Sequence, residues 1–263
     1  MTKPVFQKEI NKCAVVIVGG TSGVGLASAL QFVQAGASRI ALVGRNIDRG
    51  NAAIVALREI RSDIVAVFIA ADANIPAEAE RVTAVAHQEL EGLDILVNTT
   101  AASYVPKLLF NTDINDIPVI LNQQALAPLL MSRAVLPYMR EQKFGVITNV
   151  ASDAAKTPTP GETIIGAGMA AITLFSRTLA VEAKRDGIRV NAITPSLIDG
   201  TSVYDRVMED PFSAKLFSNA AKLAHLGVAD PEDLAAMIVF LSGPGAKRVT
   251  GQAISVNGGI SAG

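Results

Sequence analysis

Short apolar, β-branched runs alternate along this chain with longer stretches in which apolar residues recur every three or four positions. The short runs, at 13–19, 39–44, 64–69, 93–98, 144–150, 188–193 and 252–256, predict seven strands. Several are apolar at consecutive positions (CAVVIVG, for example), the pattern of strands covered by helices on both faces. Helical periodicity occupies 24–36, 47–60, 77–91, 115–141, 162–186 and 231–242. Strict alternation of the two patterns predicts an α/β fold, a doubly wound, Rossmann-type parallel sheet of seven strands. Asp230-Pro231-Glu232-Asp233 supplies a capping carboxylate, a first-turn proline and acids at the positive end of the last helix. No linker, low-complexity tract or repeat interrupts the pattern, so residues 1–263 read as a single domain. The one long stretch without a strand, 199–229, is a candidate substrate lid or partner-contact segment.

Composition narrows the function classes. The 263 residues are 50% hydrophobic and 18% charged, with 23 Lys and Arg against 24 Asp and Glu, and the sequence pI is about 6.1. That balance carries no basic footprint for nucleic acid or an anionic membrane, and neither partner is expected. One cysteine, Cys13, and two histidines, His87 and His225, give no metal-ligand set and no recognisable triad. The first residues, MTKPVFQKEINK, lack the apolar core and cleavage site of a secretory signal. Mean hydropathy is +0.37, yet no uninterrupted apolar run nears the roughly 20 residues of a membrane span. A cytoplasmic location is expected, with the surplus apolarity lining the sheet and subunit contacts.

After the first strand comes Gly19-Gly20-Thr21-Ser22-Gly23-Val24-Gly25, which opens directly into a helix. Glycines there let the backbone turn sharply and approach a pyrophosphate, held on the free N–H groups and positive dipole of the helix end. Gly19, Thr21, Ser22, Gly23, Val24 and Gly25 are therefore candidate nucleotide-binding residues; a tight turn without ligand is the plain alternative. At the end of the second strand Arg45 follows Gly44, where an acid would hold the ribose 2′-hydroxyl of NAD. An arginine there suits the 2′-phosphate of NADP, or else simply faces solvent. Asp72, after the third strand, is of a type that caps turns.

These motifs resemble the short-chain dehydrogenase/reductase (SDR) family over nearly the whole chain. Gly19, Gly23 and Gly25 match the glycines of its TGxxxGxG fingerprint, with Val18 in place of the threonine. Asp72 matches the adenine-contacting aspartate, Asn98 begins the segment corresponding to NNAG, and Arg189-Val190-Asn191 through Pro195 matches RVNxxxPG. Val249-Thr250-Gly251-Gln252 and Val256-Asn257-Gly258-Gly259 match VTGQ and VNGG. The resemblance implies a nicotinamide cofactor, NADP ahead of NAD if either is bound, and adds Asn98 and Ile198 to the cofactor-binding set.

The same resemblance fails at the catalytic end. The family uses Asn, Ser, Tyr and Lys, the last two spaced YxxxK so that an ammonium sits beside the phenol on one helix face and brings its pKa toward neutrality. Anchored without a gap on Ser152 and on Phe175 to Ala180, the tyrosine position falls on Ile165 and the lysine position on Met169. Gln124 takes the asparagine position, with Asn122 two residues upstream, and Asn98-Thr99-Thr100-Ala101 replaces NNAG. Only Ser152 survives, as a hydrogen-bond donor or a leftover small residue. No displaced tyrosine–lysine pair of the kind enoyl reductases carry lies between Ser152 and Lys184. Tyr104, Tyr204, Lys156, Asp153 and Glu162 are candidate substitutes near the strand ends.

A preserved scaffold with a dismantled site gives as first expectation a non-catalytic subunit of a hetero-oligomeric NAD(P)-dependent dehydrogenase. Its partner would be an intact SDR paralogue, and hydroxyacyl-CoA thioesters are one substrate analogy. The alternative is a divergent NADP-binding homo-oligomer, such as a homo-tetramer, with substitute acid–base residues or non-redox chemistry.

Overall fold

The computed structural model describes residues 7–100, 102 and 104–262; the Ala101 position of the NNAG-like segment and the first six residues lie outside them. Seven parallel strands form one sheet: β1 (Ala14–Val18), β2 (Arg39–Gly44), β3 (Val65–Ala70), β4 (Ile95–Asn98), β5 (Gly145–Val150), β6 (Ile188–Thr194) and β7 (Ala253–Ser255). Their order is β3-β2-β1-β4-β5-β6-β7, so the chain reverses its direction of winding between β1 and β4. Ligand crevices open at such a reversal, beyond the carboxyl ends of the strands.

Side chains alternate across the sheet and build two apolar layers. Val15, Ile17, Ile40 and Leu42 face α1 (Gly23–Gln34), α2 (Ile47–Ile60) and α8 (Pro231–Ser242), with Phe32, Leu57 and Ile238 at the centre of that layer. Val16, Val18, Ala41 and Leu96 face α3 (Pro76–Leu90), α4 (Asp116–Glu141) and α5 (Thr163–Ala183), packed through Val82, Met131, Val135 and Leu179. Because both faces are covered, β1 is buried at all five positions, which is why its sequence is continuously apolar.

Two findings depart from the sequence reading. Residues 199–229 hold helices α6 (Ser202–Glu209) and α7 (Pro211–Ala221), each opened by a capping side chain: Thr201 accepts from the N–H of Tyr204 and Asp210 from that of Ser213. The segment is tied at its base by a bridge between Ile198 and Ala229. In addition, Asp116–Glu141 and Thr163–Asp186 are long and apolar enough, by length and composition, to cross a membrane. In this fold their apolarity is accounted for in part by faces packed on the sheet, through Met131 and Val135 on one and Leu179 and Ala183 on the other.

The start of α8 is as expected. The Asp230 carboxylate accepts from the N–H of Asp233 at 2.9 Å, and the Asp233 carboxylate accepts from the N–H of Asp230 at 3.1 Å, a reciprocal capping box. Asp230→Ala removes the first of these and is expected to lower stability by about 1 kcal/mol, read as a fall in the urea midpoint with an unchanged slope.

Candidate functional site

Beyond the ends of β1, β2, β4, β5 and β6 lies a cavity of about 900 Å³, running from Arg45 and Asp72 at one end to Ile165, Met169 and the α6–α7 segment at the other. Its floor is the turn after β1. Gly19 has φ +80° and Gly23 φ +49°, both in the left-handed region. A Cβ on Gly25 would overlap the carbonyl oxygen of Gly19 and lie 2.6 Å from Thr99 Oγ1, so only glycine lets the turn close against the helix and the strand β4 loop. Thr99 holds the other side, its N–H and hydroxyl both donating to the Val18 carbonyl at 2.9 and 2.8 Å.

Gly19, Thr21, Ser22, Gly23 and Val24 line the cavity, and Ser22 provides no side-chain cap to α1. The uncapped first turn leaves backbone N–H groups and the positive end of the helix for an anion. Arg45 and Arg49 line the same end, and neither forms an ion pair among the described residues. Asp72 caps a turn and also borders the cavity. Its Oδ1 accepts from the Asn74 N–H and side-chain amide at 3.0 and 2.9 Å, shaping the turn. Ile198 also lines the cavity.

Not every expected residue reaches the crevice. Gly25 supports the turn from beneath. Asn98 is fully buried and donates to Asn149 Oδ1 at 2.7 Å, while Asn149 donates to Ser176 Oγ at 2.9 Å. This chain of amides joins β4, β5 and α5 and makes Asn98 a positioning residue. Lys156 points elsewhere: its ammonium donates to Ser255 Oγ at 2.6 Å. Asn122 is exposed on α4, and His87 stacks on Tyr138 with ring centroids 4.5 Å apart, between α3 and α4.

At the other end Ser152, Gln124, Ile165, Met169, Tyr104, Tyr204, Asp153 and Glu162 all line the cavity. Ser152 Oγ accepts from the Ala154 N–H at 3.2 Å and caps the short turn Asp153–Ala155. Gln124 is buried where α4 and α5 cross; a Cβ on Gly168 would meet its Cβ at 3.0 Å. Ile165 and Met169, expected at the proton-transfer positions, form an apolar cluster with Ala151 and Ile172, against which the Tyr104 ring packs. The Tyr104 hydroxyl lies 3.4 Å from Thr112 Oγ1.

Two carboxyl groups stand beside this apolar face. Asp153 is buried and receives the Ser261 hydroxyl, 2.6 Å from each carboxylate oxygen, which pins the C-terminal segment over the cavity. Glu162 has a pKa pushed up to about 7, chiefly because burial disfavours its charged form, with Asp153 adding repulsion and a hydrogen bond to Thr159 opposing. Distant segments meet the chain at Gly161, the residue before Glu162. Lys107 donates its N–H to the Gly161 carbonyl at 2.8 Å, and a Cβ on Gly161 would meet the Phe212 ring at 2.7 Å. The Ser213 hydroxyl donates to the Pro106 carbonyl at 3.4 Å.

A parallel sheet reversing between β1 and β4, with a glycine turn opening a helix beneath the crevice, defines the dinucleotide-crevice class of α/β proteins. A family model described as enoyl-(acyl carrier protein) reductase matches residues 18–261, and the chain belongs to that family, within the short-chain dehydrogenase/reductases. It is 31% identical to rabbit (Oryctolagus cuniculus) dehydrogenase/reductase SDR family member 4 over 254 residues, 95% of this chain and 93% of the relative. Among solved structures, L-sorbose reductase from Gluconobacter frateurii, complexed with NADPH and L-sorbose, superposes with a TM-score of 0.83 at 32% identity, covering 94% and 95% of the two chains. A short-chain oxidoreductase from Pseudomonas aeruginosa PAO1, NADPH-bound and containing an atypical catalytic center, superposes with a TM-score of 0.87 at 26% identity, covering 96% and 98%.

The raised pKa of Glu162 makes stability pH-dependent. The folded chain holds this proton up to about pH 7, whereas the unfolded chain releases it near the ordinary glutamate value of about 4.3. The contribution is therefore fully present below the unfolded value and is lost as pH rises through the window to the folded value. Urea unfolding of Glu162→Gln is expected to lack this component, so that wild type gains relative to it as pH falls through the same window.

Proposed function

We propose that this chain is an SDR oxidoreductase that binds NADP(H) in the crevice but has lost the tyrosine, lysine and asparagine of ordinary SDR proton transfer. The observation that carries the reading is the continuity of the cavity: one space joins the glycine turn and the Arg45–Arg49 end to the face bearing Ser152, Glu162, Ile165 and Met169.

The residues fit such a cofactor. A Cβ built on Gly23 meets nothing nearer than Thr201 Cγ2 at 3.6 Å, so the turn is open to a ligand. Thr100 lines the cavity, and its hydroxyl is buried without a hydrogen-bond partner among the described residues. In this reading the α1 N–H groups hold the pyrophosphate, Arg45 and Arg49 the 2′-phosphate, Asp72 the adenine side and Thr100 the nicotinamide side. The bound cofactor donates or accepts hydride. This chain's own residues orient the substrate oxygen at Ser152 and exclude water with the Ile165–Met169 face and the α6–α7 segment, which serves as a lid. NADPH in two of the similar structures supports the choice of cofactor.

A second reading, a silent subunit assembled with an intact SDR paralogue, is favoured by a different observation. Val119 on α4, Leu174 and Val181 on α5, and Phe240 on α8 are exposed large apolar side chains, suited to burial against another subunit. Native mass spectrometry of the assembly from its own cells separates the two: a homo-oligomer carrying NADP supports the first reading, and a stoichiometric second chain with a YxxxK helix supports the second.

Arg45→Ala with Arg49→Ala is expected to weaken NADPH binding by at least about tenfold while leaving NADH nearly unchanged, measured by calorimetric titration. Restoring Ile165→Tyr and Met169→Lys together is expected not to give ordinary ketone reduction, because Gln124 and the Thr99–Thr100 segment remain; a steady-state assay with NADPH checks this.

A further inference from the structure

Glu162 is the N-cap residue of α5, three positions before Ile165 and seven before Met169, and all three line the cavity. Glu162 thus stands about one turn before the first, and about two turns before the second, of the positions at which proton transfer is expected in the family and is missing here. The other groups at this end are less suited. Asp153 is engaged by Ser261, and Tyr104 packs its ring on the apolar cluster with its hydroxyl toward Thr112. Tyr204 and Arg206 stand on the α6–α7 side, and Lys156 is turned away onto Ser255. We propose that Glu162 is the proton-exchanging group of the crevice, acting on the oxygen of a neutral ketone or secondary alcohol with apolar substituents. The proposal rests on the NADP(H) reading above.

The substrate class follows from the walls. Val207, Leu216 and Phe217 line the lid side and pack with one another, while Ile165 and Met169 line the floor. The α5 side offers a substrate carboxylate Asp153 and Glu162 and no basic side chain among the described lining residues, so the reacting molecule is uncharged near its carbonyl. In reduction, with NADPH bound to supply hydride to the carbonyl carbon, the C=O π pair would move onto oxygen, and that oxygen would take the O–H proton of Glu162. The products are the alcohol, NADP⁺ and the Glu162 carboxylate, which recovers its proton from water. Oxidation runs the same step backwards, with the carboxylate as base. A carboxyl that burial holds near neutrality is available in either form for this exchange.

The test uses the full chain and Glu162→Gln, which keeps the shape and removes the ionisation. NADPH binding is measured by calorimetry, the Glu162 carboxyl is titrated by carbon-13 NMR with NADP⁺ present, and NADPH oxidation is followed with cyclohexanone and ethyl acetoacetate as probes. The expected result is equal NADPH affinity in the two proteins and a wild-type carboxyl signal titrating near 7. Wild-type ketone reduction should fall as pH rises past that point, and Glu162→Gln should lose about 100-fold in rate together with the pH dependence. The proposal is overturned by a carboxyl titrating in the ordinary glutamate range, by a Glu162→Gln rate within a few-fold of wild type, or by bound NADPH with neither ketone reduced. Failure of both proteins to bind NADPH overturns the nucleotide reading itself, and this proposal with it.

Discussion

The close approach of Gly25 to Gly19 is the constraint on which the crevice depends. Without side chains at these positions the chain leaving β1 folds back over the first turn of α1, and Thr99 packs against both. That contact sets how near α1 stands to the end of β4. It also fixes the outlet of the crevice, because Thr99 is bonded to Val18 on the neighbouring strand. Any larger residue at Gly25 forces either the helix or the β4 loop outward, and the floor of the cavity moves with it. The buried chain from Asn98 through Asn149 to Ser176 continues the same fastening across β5 to α5. The nucleotide turn and the α5 face are thereby held to one frame although their residues are more than a hundred positions apart.

On that frame the two ends of the cavity have opposite electrostatic character. The turn and Arg45–Arg49 offer helix dipole, N–H groups and guanidinium to an anion. The α5 end offers an apolar wall and two carboxyl groups, one bound by Ser261 and one desolvated. At the N-terminal end of α5 a glutamate would ordinarily be stabilised as the anion by the helix dipole. Burial outweighs that here, so the group's protonation is decided by what covers it and not by its place on the helix.

This division also explains what could be read from the sequence. Strands buried on both faces announce themselves by continuous apolar runs, and β2, β3, β5 and β6 lie within a residue or so of where the pattern puts them. Gly19, Gly23, Arg45 and Ile198 border the cavity because their positions follow from local order: strand, turn, helix. Helices α6 and α7 were hidden because they are short, although Thr201 and Asp210-Pro211 carry the start signals. The destination of Lys156, bonded to a residue of β7, and the burial of Asn98 are tertiary facts with no local signature. The cover over Gly161, beside Glu162, is of the same kind, since Lys107 and Phe212 come from segments about fifty residues away on either side.

Those same segments join α7, a lid in the proposed reading, to the surroundings of Glu162. Phe212 at the start of α7 covers Gly161, the residue before Glu162, and Ser213 reaches the Pro106 carbonyl. The Lys107 bond to Gly161 completes the cover. If α7 lifted, the ring and the Pro106 loop would lose their fastening together, and the chain beside Glu162 would open to water. The pKa of Glu162 would then relax toward that of an exposed glutamate, and the proton held by burial would be released. Closing the lid desolvates the carboxyl again and restores the proton. An open lid therefore favours the carboxylate and a closed one the acid, so the position of α7 and the protonation of Glu162 are thermodynamically linked.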